Sequence, residues 1–119
     1  MKFKSYLAEL IGTLFLTTSI LGSAMAVSTL TADGAVRLLC VAISTVVTLG
    51  LMISLLQPIS GAHFNPAVSL VALINKQIKA TEFVFMVISQ LIGAVLGAMV
   101  ANVMFDHSII ETSSVSRTG

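Results

Sequence analysis

Polar side chains are rare in this sequence, and three features place them where chemistry is expected. Glu9 lies in a long apolar run near the N-terminus, and Gln90 lies in another apolar run further along the chain. An ionisable group inside such a run is a functional hypothesis by default, because its desolvation is costly. Glu9 would either bind a proton or cation, or accept hydrogen bonds from the unpaired backbone N–H groups of a re-entrant loop. We favour the second role, and Gln90 would support the same loop.

The third feature is one continuous segment, Ser60-Gly61-Ala62-His63-Phe64-Asn65-Pro66-Ala67-Val68. Asn65 followed by Pro66 is typical of a helix start, with Asn as the N-cap and Pro at the first helical position. About ten residues then precede the polar Asn75, which gives roughly 15 Å of helix, half the hydrocarbon core. The pattern predicts a half-helix over about 66–75. The non-helical backbone over 57–64 must then be buried in protein or line a watery cavity.

The composition excludes most soluble functions. The chain has 119 residues, of which 56% are hydrophobic and 9% charged, whereas soluble domains carry about a quarter charged residues. A soluble catalytic domain and a nucleic-acid-binding partner role are therefore unsupported. Cys40 is the single cysteine, and His63 and His107 are too far apart for a helical metal pair. No spacing links Ser, His and acidic residues into an active site, so we expect neither an enzyme nor a cofactor.

The elements that must position these residues are membrane helices. Three apolar runs are each long enough to cross a bilayer, which takes about 20 residues. The sequence predicts an all-α membrane protein embedded in lipid, with three transmembrane helices and the half-helix between the second and third. The expected transmembrane ranges are about 5–28, 36–56 and 82–105. Residues 106–119 are predicted to form a polar tail outside the membrane.

The positive charges predict an orientation. Four lysines fall on one side of the membrane if the helices cross as predicted: Lys2, Lys4, Lys76 and Lys79. The opposite side holds Arg37 and Arg117. Because cytoplasmic loops carry an excess of Lys and Arg, the N-terminus is expected in the cytoplasm and the C-terminus outside, in the inner (plasma) membrane.

The polar segment resembles a signature of the aquaporin and aquaglyceroporin family. That signature, Ser-Gly-x-His-x-Asn-Pro-Ala-Val, is matched at Ser60, Gly61, His63, Asn65, Pro66, Ala67 and Val68. Two flanking segments are similar to the family's first and third helices, Ala8-Glu9-Leu10-Ile11-Gly12-Thr13 and Gln90-Leu91-Ile92-Gly93-Ala94. The resemblance extends from about Tyr6 to Phe105. It covers the N-terminal one of the family's two inverted repeats, and the 119 residues contain no second Asn-Pro-Ala.

The resemblance implies a pore and a role for each matched residue. A helix N-terminus at mid-membrane carries unpaired N–H groups and about half a positive charge, so it attracts solute oxygens and disfavours cations. If the Asn65 oxygen caps its own helix, its NH2 remains free to donate to a passing solute. By resemblance, Gly61, Ala62 and His63 would present carbonyls to the lumen from extended backbone. By the same resemblance, Pro66 and Ala67 would complete the Asn-Pro-Ala motif, and Glu9 and Gln90 would brace the loop from behind.

Thr45 departs from the family's water-selective pattern. It lies twenty residues before Asn65, where water-selective members commonly place an aromatic side chain in the outer constriction. A threonine is expected to leave a wider, more polar opening. This resembles subgroups that pass glycerol-like polyols or undissociated metalloid acids.

Two other functions remain open for the sequence. A small proton-coupled multidrug exporter would use Glu9 to bind a proton or cation, and a nonconducting fragment would have no transport function. An exporter of that kind needs four full spans and has no use for the half-helix. A channel half needs a partner, and we expect a second polypeptide carrying the C-terminal-type repeat rather than an inverted copy of this chain, because inversion would place the lysines outside.

Small residues recur at four-residue spacing in two of the runs. They are Ser89, Gly93, Gly97 and Ala101 in the third run, and Thr18, Gly22 and Ala26 in the first. Such stripes let helix backbones approach closely, and ordinary packing explains them. The resemblance also implies the family's tetramer of pores, which we expect to assemble through these Gly- and Ala-lined faces.

Overall fold

The computed structural model describes residues 2–105, and this range is helical with short connections. Its helices are α1 (Phe3–Ser28), α2 (Gly34–Ser60), α3 (Pro66–Ile74) and α4 (Ala80–Met104). Within the described range, α1, α2 and α4 are long and apolar enough to cross a membrane, whereas α3 has 9 residues. The predicted fold class, three transmembrane helices with one half-helix, is confirmed. The predicted tail over 106–119 lies outside the described residues.

Helix α1 is the central element of the fold. It packs against α2 and against α4, and α3 packs against α4. The α1–α4 contact is made backbone to backbone: a Cβ at Gly93 would collide with the Leu10 carbonyl, and one at Gly97 would lie 2.6 Å from the Leu14 oxygen. Glycine is therefore needed at both positions for the helices to approach this closely.

The small-residue stripes of α1 and α4 lie at the contact between these two helices. Ser89 and Ala101 are buried with the two glycines on the α1-facing side of α4. On α1, Gly22 is buried, and the Thr18 hydroxyl donates to the Gly97 carbonyl at 3.1 Å. The expectation that these Gly- and Ala-lined faces join neighbouring channels is therefore wrong, because α1 and α4 use them to contact each other. Any contact between channels must use other surfaces.

Hydroxyl groups join α1 to α2. The Ser19 and Ser44 hydroxyls lie 2.6 Å apart, and the Thr48 hydroxyl donates to the Ser19 oxygen at 2.8 Å. Hydrogen bonds of this kind between membrane helices stabilise the packing by about 0.6 kcal/mol each on average. The first helix is thus fixed on one side by close backbone packing and on the other by hydroxyl pairs.

Helix α2 runs further than the sequence predicted and shortens the loop that follows. It continues past Pro58 and ends where Gly61, with φ 87°, donates its N–H to the Gln57 carbonyl at 2.9 Å. Pro58 has no N–H to donate to the carbonyl four residues earlier, but only two residues of the helix follow it. The non-helical segment predicted over 57–64 is therefore confined to residues 61–65.

Candidate functional site

The loop over residues 61–65 is held by a single buried carboxylate. Glu9 on α1 has no exposed surface, with a relative exposure of 0%. Its Oε2 accepts hydrogen bonds from the Ser60 hydroxyl at 2.5 Å and the His63 N–H at 3.2 Å. Its Oε1 accepts from the Phe64 N–H and from Gln90 Nε2, both at 2.9 Å. These bonds satisfy backbone donors that would otherwise be buried without a partner.

The loop backbone is folded back rather than extended. Gly61, Ala62 and Phe64 have φ values of 87°, 54° and 53°, in the left-handed region. The expectation of extended backbone is therefore wrong at Gly61 and Ala62. An extended segment points successive residues to opposite sides, whereas here the N–H groups of His63 and Phe64 must both reach one carboxylate. The Ser60 hydroxyl oxygen supports the turn by accepting from the Ala62 N–H at 3.1 Å.

An aromatic ring anchors the loop to α1. Phe64 is buried, with 5% of its surface exposed, and its ring lies against Gly12. A Cβ at Gly12 would overlap this ring. Glu9 and Gly12 are three residues apart, which places them on the same face of α1. The same helical face therefore supplies both the hydrogen-bond acceptor and the space that the loop requires.

Gln90 and Ser69 extend the polar network to α3 and α4. Gln90 Nε2 donates to Glu9 and also to the Ser69 hydroxyl, at 3.0 Å. The Ser69 hydroxyl lies 2.9 Å from His63 Nδ1. Gln90 is 2% exposed and Ser69 is 0% exposed. One buried network therefore joins α1, the loop, α3 and α4.

Asn65 starts α3 and keeps an unused donor. Its Oδ1 accepts from the Ala67 N–H at 2.8 Å, and Pro66 follows at the first helical position. Within residues 2–105, no acceptor lies within hydrogen-bond distance of the Asn65 side-chain nitrogen, and Asn65 and Pro66 are exposed. The amide thus adds its hydrogens to the positive end of the half-helix, where oxygen atoms of a ligand are favoured.

A cavity of about 310 Å³ lies beside the start of α3. It is lined by α1, α4 and the loop, through Thr13, Leu16, Thr17, Ile20, Phe64, Asn65, Pro66, Gln90, Leu91 and Ala94. Two of these residues carry a buried side-chain oxygen without a hydrogen-bond partner in the described part of the chain, Thr13 Oγ1 and Gln90 Oε1. Such groups are rare in native proteins and call for a partner.

Thr45 lies apart from this network. It is partly buried on α2, and its hydroxyl donates to the Val41 carbonyl in the same helix at 2.7 Å. Thr45 is absent from the cavity lining, as are Gly61, Ala62 and His63. The structure brings together the other residues singled out from the sequence, namely Glu9, Gly61, Ala62, His63, Asn65, Pro66, Ala67 and Gln90.

Sequence reasoning missed three residues of the site. Ser69 lies one helical turn after Asn65, and Thr13 lies one turn after Glu9. That spacing places each on the same face as a residue already singled out, and this was an available signal. Phe64 gave no signal beyond its place in the motif, because its burial depends on the space left by Gly12.

The comparisons with known proteins agree with this geometry. The profile of the major intrinsic protein family matches residues 1–118. The aquaglyceroporin AqpS of Rhizobium meliloti is 39% identical over 112 residues, which is 94% of this chain and 48% of that protein. The aquaporin TIP2-3 of Arabidopsis thaliana is 34% identical over 116 residues, covering 95% of this chain and 46% of that protein.

The chain is also similar to a mammalian aquaporin. Aquaporin-5 of Rattus norvegicus is 36% identical over 96 residues, which is 81% of this chain and 35% of that protein. The chain thus spans half or less of the length of these curated relatives. Since the family profile covers nearly the whole sequence, this chain is an integral membrane protein and belongs to the major intrinsic protein family, whose members are channels and not enzymes.

Proposed function

We propose that this chain supplies one half of a passive channel for water and small neutral solutes. The observation that carries the proposal is the start of α3, where the Asn65 amide is free to donate while its oxygen caps the helix. A solute oxygen would accept from this amide in place of its lost hydration, and the positive end of the helix would disfavour cations. The residues proposed to line the pore are Gly61, Ala62, His63, Asn65 and, at the outer constriction, Thr45.

The contacts of Glu9 favour a bracing role over proton-coupled export. Both of its oxygens accept hydrogen bonds from the loop and from its supports, Ser60 and Gln90. An exporter would have to break these bonds each time Glu9 bound a proton or cation. Transport by a channel half needs no proton gradient, so dissipating that gradient should leave solute flux unchanged, whereas an exporter would stop.

The cavity favours a complementary half as the partner. Thr13 Oγ1 and Gln90 Oε1 are buried beside the start of α3 without a partner in the described residues. Lipid has no hydrogen-bond donors in its hydrocarbon region, and we propose that a protein segment beside the cavity supplies them. We propose a C-terminal-type repeat with its own Asn-Pro-Ala, on a second polypeptide that enters from the opposite leaflet.

An inverted second copy is the less favoured partner. Inversion would move Lys2, Lys4, Lys76 and Lys79 to the outside, against the usual bias of positive charge. The same charges support a cytoplasmic N-terminus and an external C-terminus in the inner membrane. The assembled pores are proposed to form the family's tetramer through surfaces other than the buried small-residue stripes.

Thr45 and one relative favour solutes larger than water. The relative from Rhizobium meliloti is named an aquaglyceroporin. A threonine at the outer constriction would leave more room than an aromatic ring, so we propose that glycerol-like polyols or undissociated metalloid acids pass together with water. This selectivity depends also on residues of the complementary half.

Asn65→Leu tests the pore directly. The variant keeps the branched shape of the side chain but removes both the free donor and the oxygen that caps α3, so solute flux through the assembled channel should be lost while membrane insertion is kept. Asn75→Leu is the matched control, because Asn75 lies at the other end of the same half-helix and is exposed. Flux that survives in Asn65→Leu would remove Asn65 from the pore.

Thr13→Val tests the partner. Valine has nearly the shape of threonine without the hydroxyl, so the isolated chain should become more stable once the unpaired oxygen is gone, since burying such a group costs about 1–3 kcal/mol. Association with the complementary half should weaken, because a hydrogen bond to that half is lost. Unchanged association would show that the complementary half does not pair with the Thr13 hydroxyl.

A further inference from the structure

The hydrogen bonds around Ser69 determine which atom donates and which accepts between Gln90, Ser69 and His63. Gln90 Nε2 lies 2.9 Å from Glu9 Oε1 and 3.0 Å from Ser69 Oγ. Glu9 Oε1 already accepts from the Phe64 N–H, so the amide nitrogen of Gln90, which is a donor, and not its amide oxygen faces Glu9. That nitrogen has two hydrogens, one for each neighbour. Ser69 Oγ is therefore an acceptor from Gln90.

The hydroxyl hydrogen of Ser69 then has one destination. Ser69 is fully buried, and within residues 2–105 the remaining polar atom within hydrogen-bond distance of its Oγ is His63 Nδ1, at 2.9 Å. If Nδ1 carried the imidazole proton, there would be two cases. Either the Nδ1 hydrogen and the Ser69 hydroxyl hydrogen would point at each other, or the hydroxyl hydrogen would turn away and be buried without an acceptor. A buried donor without an acceptor is strongly disfavoured. Nδ1 of neutral His63 must therefore be the acceptor.

This assignment leaves the proton of the neutral imidazole on Nε2. Nε2 lies beside Gly61, at 3.3 Å from the position of a Cβ built there. His63 is partly exposed, and no acceptor for Nε2 lies within hydrogen-bond distance in the described residues. A donor is thus held next to the backbone of the loop that carries Asn65.

We propose that Ser69 is a positioning residue that holds neutral His63 as its Nε2–H tautomer, so that the imidazole presents a hydrogen-bond donor toward the passing solute. The contact between His63 and a solute depends on the proposed channel function, whereas the assignment of the tautomer depends only on the hydrogen bonds within this chain. Ser69 lies behind the loop, on the buried side of α3, and would act without touching the solute. His63 would then add a second donor to the one supplied by Asn65.

Nitrogen-15 NMR of the histidine ring tests the tautomer without any transport measurement. The full chain is labelled at histidine and studied in lipid bicelles in alkaline buffer, and His63→Gln identifies which signals belong to His63 rather than to His107. The wild type should show an unprotonated Nδ1 and a protonated Nε2, as one tautomer. A protonated Nδ1, or shifts averaged between the two forms, would overturn the proposal.

Two substitutions separate positioning from structural support. Ser69→Ala removes the hydroxyl donor, so the Nδ1 signal should move toward the averaged position of a histidine that exchanges between tautomers. Ser69→Thr keeps the hydroxyl and should restore the wild-type shifts. A pure Nε2–H tautomer in Ser69→Ala would show that Ser69 does not set it. The NMR shifts do not depend on whether the chain conducts a solute. A chain that shows the Nε2–H tautomer but gives no flux in a separate transport assay would refute the channel proposal and not this one.

Discussion

Replacing Glu9 by glutamine should remove the hydrogen bond of one loop amide, that of His63, and keep that of the other, Phe64. Glutamine offers one acceptor oxygen where glutamate offers two, so its NH2 must face one pair of the existing donors. At the Oε1 position it would oppose the Phe64 N–H and Gln90 Nε2. At the Oε2 position it would oppose the His63 N–H, while the Ser60 hydroxyl would turn and accept. The second arrangement keeps the bonds from Phe64 and Gln90, and of its two donors only the His63 N–H cannot turn away, so it should be adopted.

The contacts set the size of this effect. One backbone N–H left unpaired costs about 1–3 kcal/mol, and the two bonds that stay lose charge assistance worth about 1 kcal/mol each. Glu9→Gln should therefore destabilise the chain by about 3–5 kcal/mol in total. The unpaired His63 N–H accounts for about 1–3 kcal/mol of this total. At about 1.4 kcal/mol per tenfold change, that corresponds to a roughly 5- to 140-fold faster exchange of the His63 amide.

Amide hydrogen exchange followed by NMR in bicelles measures this difference. We expect the His63 amide of Glu9→Gln to exchange much faster than in the wild type, and the Phe64 amide to stay the better protected of the two. Glu82→Gln is the control, because Glu82 accepts from the Lys79 N–H at the start of α4, away from the loop. Equal acceleration of the two loop amides, or none, would refute the assignment of the carboxylate contacts.

Three further substitutions test the packing and the pore. Gly93→Ala should lower stability against detergent unfolding by about 1–3 kcal/mol, because its methyl group would collide with a carbonyl of α1, whereas Gly50→Ala, with open space around it, should not. Gly12→Ala should displace the ring of Phe64 and speed exchange of its amide; unchanged exchange would contradict the anchoring contact. In the assembled channel, Thr45→Phe should reduce polyol flux more than water flux, and a wild-type channel that passes no polyol would refute the wide opening.

The helices were predictable because the relevant physics is local. Long apolar runs must be helical in a membrane, since only internal hydrogen bonds satisfy the backbone there. Asn65 and Pro66 predicted the start of α3 because capping and the missing proline N–H both act within one turn. The predicted end of α2 at about residue 56 was too early, because the non-helical segment was expected from residue 57, whereas the helix continues through Pro58 to Ser60.

The contacts between elements were less accessible to sequence reasoning. Four-residue spacing of Gly93 and Gly97 indicated close packing but not which helix would fill the stripe. The folded-back conformation of Gly61 and Ala62 follows from the position of Glu9 on another helix, so no local pattern reveals it. The unpaired oxygen of Thr13 likewise becomes visible only when the cavity around it has formed.

Solute flux into liposomes tests most directly whether this chain is one half of a pore. The chain is reconstituted alone and together with the part of the Rhizobium meliloti aquaglyceroporin that it does not cover, and water and glycerol flux are followed by light scattering. We predict flux no greater than that of protein-free liposomes for the chain alone, and flux that depends on Asn65 for the pair. Robust flux from the chain alone, or none from the inserted pair, would contradict the account.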